Sequence, residues 1–261
     1  MRPNRKKPKN DQTKPVMKFI KSLGKGTYGS VDLFSYTKDV GSTFYNAVKI
    51  SDSNYYKSIN REFKILSALR GCQGIVQSFG NSLLQETDSN GKKVYKMAIE
   101  YAAGGNLTDF IRINRKLSDT IVKDFTRMLL QGLVLVHDHG YVHCDLKPEN
   151  LLLPASRSRN AVLLVRVKDF GFWIDDKGRR GVRLLGNQIS VCRNAVIHVS
   201  GVGKHPWSGF SVDDIKSRLL CGKAPEIPET VPCDARKFVE KCFARKPEER
   251  EVLLSCCCIR S

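Results

Sequence analysis

A chain of 261 residues with 41% hydrophobic residues can bury the core of one domain or of two tightly packed lobes, which excludes an intrinsically disordered protein. Its formal net charge of +18 favours contact with something anionic, whether a nucleotide, an acidic partner, a nucleic acid or a membrane surface; a solvated basic surface plus a basic tail is the simpler account. Nine cysteines without a C-x-x-C pair, bunched only at Cys256, Cys257 and Cys258, suggest neither a zinc framework nor a disulfide scaffold and fit a reducing compartment.

Residues 1–15 carry Arg2, Arg5, Lys6, Lys7, Lys9 and Lys14 among prolines and polar residues, a composition that forms no core and reads as a basic disordered tail. Arg5-Lys6-Lys7-Pro8-Lys9 would also suit nuclear import or polyanion binding. This stretch has no apolar leader core, and no apolar run reaches the length needed to span a bilayer, so the expectation is a soluble intracellular protein, cytoplasmic and/or nuclear.

From Val16 the pattern changes to short strand-like runs. Phe19-Ile20 leads into Gly24-Lys25-Gly26-Thr27-Tyr28-Gly29-Ser30-Val31, followed by a second strand-like run from Val31 to Tyr36. Glycines at this spacing mark either an ordinary hairpin, a dinucleotide site or a phosphate lid. A dinucleotide fold would place a helix directly after them; here a strand, a turn around Lys38 to Gly41 and another strand, Phe44 to Ile50, follow. The glycines therefore read as a hairpin whose backbone can approach phosphates closely. The third strand contains Asn46-Ala47-Val48-Lys49-Ile50.

Ser58 to Arg70 predicts an amphipathic helix, with Ile59, Phe63 and Leu66 on one face and Glu62 beside it. Two more strands, Ser82 to Glu86 and Val94 to Ile99, flank a tight turn at Asn90-Gly91 and end in Ile99-Glu100-Tyr101-Ala102-Ala103-Gly104-Gly105-Asn106-Leu107. Ser118 is placed to cap a long helix with Ile121, Phe125, Met128, Leu129, Leu133 and Val136 on its apolar face and Gly140 after its end. That helix delivers the chain to His143-Cys144-Asp145-Leu146-Lys147-Pro148-Glu149-Asn150. Short strands at Leu151 to Leu153 and Val162 to Val167 surround a basic turn, Arg157 to Arg159, and Asp169-Phe170-Gly171 follows.

A Gly-rich loop, a strand lysine, an H-x-D-x-K-x-x-N loop and a D-F-G, in this order, resemble a protein kinase of the serine/threonine type. Ala98 to Leu107, Gly140 to Asp145 and Gly203-Lys204-His205-Pro206-Trp207 are similar to plant mitogen-activated protein kinase kinase kinases. The resemblance covers roughly residues 16 to 250 and implies an α+β, bilobal protein kinase-like fold with a β-rich N-lobe and a mainly helical C-lobe, incomplete in this chain. The implied organisation is a tail at 1–15, N-lobe and hinge at 16–102, C-lobe at 103–250, atypical from about 172 to 200, and a Cys-rich tail at 251–261.

The resemblance also implies the chemistry. Gly24, Gly26, Gly29, Val31 and Ala47 would enclose ATP, Lys49 would hold its α- and β-phosphates, and Glu62 would pair with Lys49. Ile99 would border the adenine pocket, backbone groups around Glu100 and Ala102 would contact adenine, and Leu152 would pack beneath it. Asp145 would accept the substrate hydroxyl proton, Lys147 would neutralise charge on the moving phosphoryl group, and Asn150 with Asp169 would hold Mg²⁺. Lysine at 147 resembles serine/threonine rather than tyrosine kinases, so the implied substrate is a protein hydroxyl, for example on a downstream kinase. Neither zinc nor nucleic acid is expected as a partner.

The departures are as specific as the matches. Cys144 replaces the arginine of H-R-D, Lys168 precedes D-F-G where a small or apolar residue is usual, and Ser190 is the sole hydroxyl residue between Gly171 and Arg193. Gly186 to Asn194 occupies the place of the segment ending in A-P-E, and no D-x-W-S-x-G opens a central helix. Arg250 resembles the arginine that pairs with the absent A-P-E glutamate, after expected helices at Val212 to Leu220 and Asp234 to Phe243. A catalytically impaired nucleotide-binding pseudokinase or scaffold is therefore the alternative. The terminal Cys256-Cys257-Cys258-Ile259-Arg260-Ser261 fits C-a-a-X only superficially, since Arg260 is a poor aliphatic substitute.

Overall fold

The computed structural model describes residues 16–26, 28–38, 42–114, 117–141, 143, 146–153 and 166–167, and from 207 to 240 residues 207, 209–224, 226–227, 229, 231, 233, 236–237 and 240. These group into two compact units: the residues up to Tyr56 with Phe79–Tyr101, and Lys57–Ser78 with the residues from Ala102 onward. The first is β-rich and the second mainly helical, as the α+β expectation has it.

The first unit is a five-stranded antiparallel sheet, order β1-β2-β3-β5-β4, built from β1 (Val16–Gly26), β2 (Gly29–Lys38), β3 (Ser42–Asp52), β4 (Leu84–Thr87) and β5 (Lys93–Glu100). Its strands hold the aromatic and β-branched residues that suit a pleated surface, such as Phe34, Tyr36, Val48 and Val94. β1 departs from regular pairing with β2 between Phe19 and Lys21 and again between Ser22 and Gly24, after which Gly24 pairs with Val31 and Gly26 with Gly29. Between β4 and β5 the turn is made by Asp88 as much as by Asn90-Gly91. The Asp88 carboxylate accepts from the Asn90 and Lys92 N–H groups at 2.9 and 2.8 Å, while Gly91 takes the left-handed conformation, φ 75°.

At the end of β3 the Asp52 side chain accepts from the Asn54 N–H at 2.8 Å and caps a 3₁₀ turn, Ser53–Tyr55. Helix α1 (Tyr56–Ala68) follows, and the unit boundary falls just inside it. Ile59, Phe63 and Leu66 are buried as expected, joined by Ile65 and by Glu62, which is only 6% exposed.

The second unit continues with a loop organised by the Gln77 carboxamide. It accepts from the Gly71 N–H at 2.7 Å and donates to the Ile75 and Cys72 carbonyls at 2.9 and 3.2 Å. Helix α2 (Leu107–Asn114) is preceded by Asn106, whose side chain accepts from the Asp109 N–H and donates to the Asp109 carboxylate, both at 2.9 Å. Helix α3 (Asp119–Asp138) begins at Ser118, whose hydroxyl accepts from the Ile121 N–H at 3.4 Å. After its end Gly140 takes φ 74° and donates to the His137 carbonyl at 2.8 Å, and Tyr141 donates to Val136 at 3.0 Å, so the last turn is satisfied by backbone groups.

The buried face of α3 is rotated from the expected one: Val122, Phe125, Leu129, Leu130, Leu133 and Val136 are buried, while Ile121 and Met128 lie half-buried at its margin. Gly132 sits on the buried side, where an added Cβ would lie 3.3 Å from the Gly74 carbonyl oxygen, so a small residue lets that loop approach and turns the helix toward it. Strands β6 (Leu151–Leu152) and β7 (Arg166–Val167) pair antiparallel, and α4 (Val212–Leu220) opens with Ser211 and Asp214 exchanging hydrogen bonds. The hydrogen bonds from the Ser211 side chain and backbone hold the Asp214 carboxyl below its usual range. Of the expected strand Val162 to Val167 only Arg166–Val167 lies within the described residues, and the helix expected over Asp234 to Phe243 is described only at residues 236, 237 and 240, each helical. The N-terminal tail, Arg157 to Arg159, residues 172 to 200, Arg250 and the Cys-rich end lie outside them.

Two substitutions check this construction. Gly29 has φ 138°, and an added Cβ would fall 1.9 Å from the Ile50 carbonyl oxygen, so Gly29→Ala is expected to destabilise the full chain by about 1–3 kcal/mol in urea unfolding. Ser118→Ala removes one cap from an exposed helix start and is expected to lower stability by about 0.5–1 kcal/mol. A midpoint unchanged by Gly29→Ala would contradict the close approach of β2 to β3.

Candidate active site

Directly paired residues of an antiparallel sheet share a face, and so do residues two apart along a strand. The register of β2, β3 and β5 therefore makes two adjacent rows on one face: Leu33, Ala47 and Ile99, and next to it Val31, Lys49 and Met97. Leu33, Ala47, Met97 and Ile99 are buried, whereas Val31 and Lys49 are half-buried at the end of the sheet nearest the glycine turn. Gly24 extends the second row, being the partner of Val31 on β1.

The glycine turn itself is a hairpin closed at Gly26 and Gly29. A Cβ at Gly24 or Gly26 would meet no atom within 4 Å, so the space over these two residues is open, while Gly29 is the close-packed member of the three. Open space above glycine backbone, beside a lysine on the same face, is what a bound phosphate needs: N–H groups free of side-chain obstruction and a nearby cation. Ser51, two residues beyond Lys49, is buried at 2% exposure and donates its hydroxyl to the Tyr28 carbonyl at 2.6 Å, tying the turn to β3.

Glu100 pairs with Asn46 at the end of β5, and the first unit finishes one residue later. In the second unit Ala102 starts a turn in which its carbonyl accepts from the Gly105 N–H at 3.1 Å. Gly104 donates to the Leu153 carbonyl and Leu153 to the Gly105 carbonyl, both at 2.9 Å, and Asn106 bridges to Leu152. The turn that begins at Ala102 is thus joined to Leu152 and Leu153 by backbone pairing within one unit, through Gly104, Gly105 and Asn106.

The segment carrying the expected chemistry is held by burial. Leu146, Pro148, Asn150, Leu151 and Leu153 are buried, and Lys147 and Glu149 between them are exposed. Pro148–Asn150 forms a 3₁₀ turn with proline at its first position, where no N–H is required, and the Asn150 N–H donates to the Lys147 carbonyl at 2.8 Å. His143, at 1% exposure, is buried at the start of the segment. Asp145, with Cys144, lies outside the described residues, and so do Lys168 and Asp169, which follow Val167 of β7.

Sequence reasoning passed over Leu33, Met97 and Ser51. Leu33 and Met97 could have been found by extending the strand alternation through Ala47, Lys49 and Ile99 to their neighbours; a serine at a strand end carries no such signal.

A carboxamide at 150 and a carboxylate at 169 are hard oxygen donors of the kind that suit Mg²⁺, and the open glycine turn suits polyphosphate, so the residue types fit a magnesium–nucleotide complex.

Residues 17–178, more than half of the chain, match the family model described as protein kinase domain. The chain is 27% identical to mitogen-activated protein kinase kinase kinase 20 of Arabidopsis thaliana over 267 residues, covering 90% of this chain and 75% of that protein. It is 26% identical to mitogen-activated protein kinase kinase kinase 5 of the same plant, covering 88% of this chain and 34% of the relative. With the human serine/threonine-protein kinase ULK1 the identity is 32% over 203 residues, 75% of this chain and 18% of the relative. The chain therefore spans three quarters of the first of these relatives but about a third or less of the other two. With its sheet of five antiparallel strands, its helical second unit and these matches, the chain belongs to the protein kinase family and resembles the plant mitogen-activated protein kinase kinase kinases.

Proposed function

We propose that the protein is an ATP- and Mg²⁺-dependent serine/threonine kinase that transfers the γ-phosphoryl group to protein hydroxyls, with another kinase of a mitogen-activated cascade as the substrate its relatives' names suggest. The observation that carries this reading is the sheet face shared by Val31, Ala47, Lys49 and Ile99 next to the open glycine turn. On this reading Ala47 and Ile99 line the adenine side, Glu100 and Ala102 offer backbone groups to its edge, and Leu152 packs beneath it. Lys49, oriented by Glu62, holds the α- and β-phosphates.

Asp145 orients the attacking hydroxyl and takes its proton, and Lys147 balances the charge spread over the phosphoryl oxygens. Asn150 and Asp169 would hold Mg²⁺, which supplies charge neutralisation across the phosphates when bound. No residue forms a covalent intermediate; apart from the proton taken by Asp145, the residues act by position and charge. The proposed compartment is the cytoplasm and/or nucleus. Among the described residues no helix is long and apolar enough to cross a membrane.

A second reading is favoured by one feature, the replacement of the A-P-E segment by Gly186 to Asn194: a pseudokinase or scaffold that binds nucleotide without transferring phosphate. Both readings meet in one experiment on the purified full chain, with Mg-ATP and a generic protein acceptor. The kinase reading expects transfer that falls by about a hundredfold or more in Asp145→Asn and in Asp169→Asn. Transfer equal in all three proteins would overturn it. A melting temperature raised by Mg-ATP, with no transfer above background in the unmutated protein, selects the pseudokinase.

A further inference from the structure

Ser51 and Tyr55 fasten the glycine turn to the strand that carries Lys49, and the nucleotide reading leaves both without a role. The buried Ser51 hydroxyl donates to the Tyr28 carbonyl at 2.6 Å, one residue before the close-packed Gly29. The Tyr28 ring meets the Tyr55 ring edge-on, with centroids 5.3 Å apart. Tyr55 ends the 3₁₀ turn capped by Asp52, so its backbone is set by a short, satisfied turn. The next residue, Tyr56, packs on Tyr95 with centroids 4.5 Å apart, and Tyr95 is the register partner of Ser51 on β5. The turn is thus braced twice, once through a hydrogen bond to its backbone and once through its exposed aromatic ring.

Glycine backbone is the most expensive kind to order, because it surrenders the widest range of conformations. A turn with glycine at positions 24, 26 and 29 therefore needs outside fastening if its N–H groups are to wait at a set distance from one lysine. We propose that Ser51 and Tyr55 are positioning residues for phosphate binding: acting through Tyr28, they hold the glycine turn in register with Lys49 so that turn and ammonium address the same polyphosphate. This rests on the reading of the turn as a phosphate cradle. Neither residue touches the nucleotide; each raises affinity by ordering the turn before the ligand arrives.

The proposal predicts selectivity for phosphate. In the full chain, Ser51→Ala and Tyr55→Ala should weaken binding of a fluorescent ATP analogue with Mg²⁺ by roughly three- to tenfold, the range of one hydrogen bond or one aromatic pair. Adenosine, which has no phosphates, should bind both variants as it binds the unmutated chain. Tyr55→Phe keeps the ring contact and should bind the ATP analogue normally. Amide exchange should quicken at Lys25 to Ser30 in the two alanine variants and stay unchanged in β3 and β5. Equal losses for adenosine and ATP, or exchange rising over the whole sheet, would show mere destabilisation and overturn the proposal. Unaltered ATP affinity in both alanine variants, with the unmutated chain binding normally, overturns it as well. An unmutated chain that binds adenosine and ATP equally weakly, with no gain from the phosphates, overturns the cradle reading and the proposal with it.

Discussion

The antiparallel pairing of β3 with β2 on one side and β5 on the other is the constraint on which the first unit depends. Side chains alternate along a strand with a period of two, so a slip of one residue would carry Lys49 and Ala47 to the opposite face together. Two features oppose that slip. Gly29 lies so close to the Ile50 carbonyl that no side chain fits between them, which fixes the start of β2 against the end of β3. The Ser51 hydroxyl adds a bond to the Tyr28 carbonyl at the same end. The irregularities lie in β1, where two register shifts let the strand change course before the glycine turn without disturbing the three central strands.

The second unit solves a different problem, keeping an irregular segment ordered where no ladder is available. Residues 146 to 153 manage it by burying their apolar members, Leu146, Pro148, Leu151 and Leu153, each of which would lose contacts if the segment turned over. Lys147 is left outward by elimination, flanked by two buried neighbours. Backbone groups are satisfied by the exchange between Gly104, Gly105 and Leu153, so the turn after Ala102 and the end of the loop are stapled to each other. The leucines and the proline are buried on either side of Lys147.

Much of this was legible in the chain itself, for identifiable reasons. The strands announce themselves through aromatic and β-branched residues, and the glycines were assigned to a hairpin because a strand, not a helix, comes after them. Ser118 and Gly140 bracket α3 because capping is local chemistry, readable within four residues. What escaped was set by tertiary contact. The buried face of α3 was read from spacing alone and came out rotated, because the approach of Gly74 to Gly132 involves two residues far apart in sequence. Glu62 was expected beside the apolar face of α1 and is instead buried, which a helical period cannot distinguish when the neighbouring positions are Ile59, Phe63 and Ile65. Asn106 and Asp109 make a capping pair that two preceding glycines concealed, so α2 went unassigned.

The departures bear differently on binding and on transfer. The rows made by Val31, Lys49 and Met97 and by Leu33, Ala47 and Ile99 are held by main-chain pairing inside the sheet, among residues 31 to 99. Gly186 to Asn194, the stretch that departs furthest from the family pattern, is remote in sequence from every residue of those rows. On the proposed reading, a rewritten segment there acts on how a protein hydroxyl is presented and leaves intact the pairing that grips the nucleotide. Phosphoryl transfer demands near in-line placement of the acceptor, and a misplacement of about 1 Å can reduce the rate about a hundredfold while ground-state affinity for ATP is unaffected. Retained nucleotide binding would therefore be weak support for catalysis in this chain, because in-line placement of the acceptor is a requirement separate from the grip on the nucleotide.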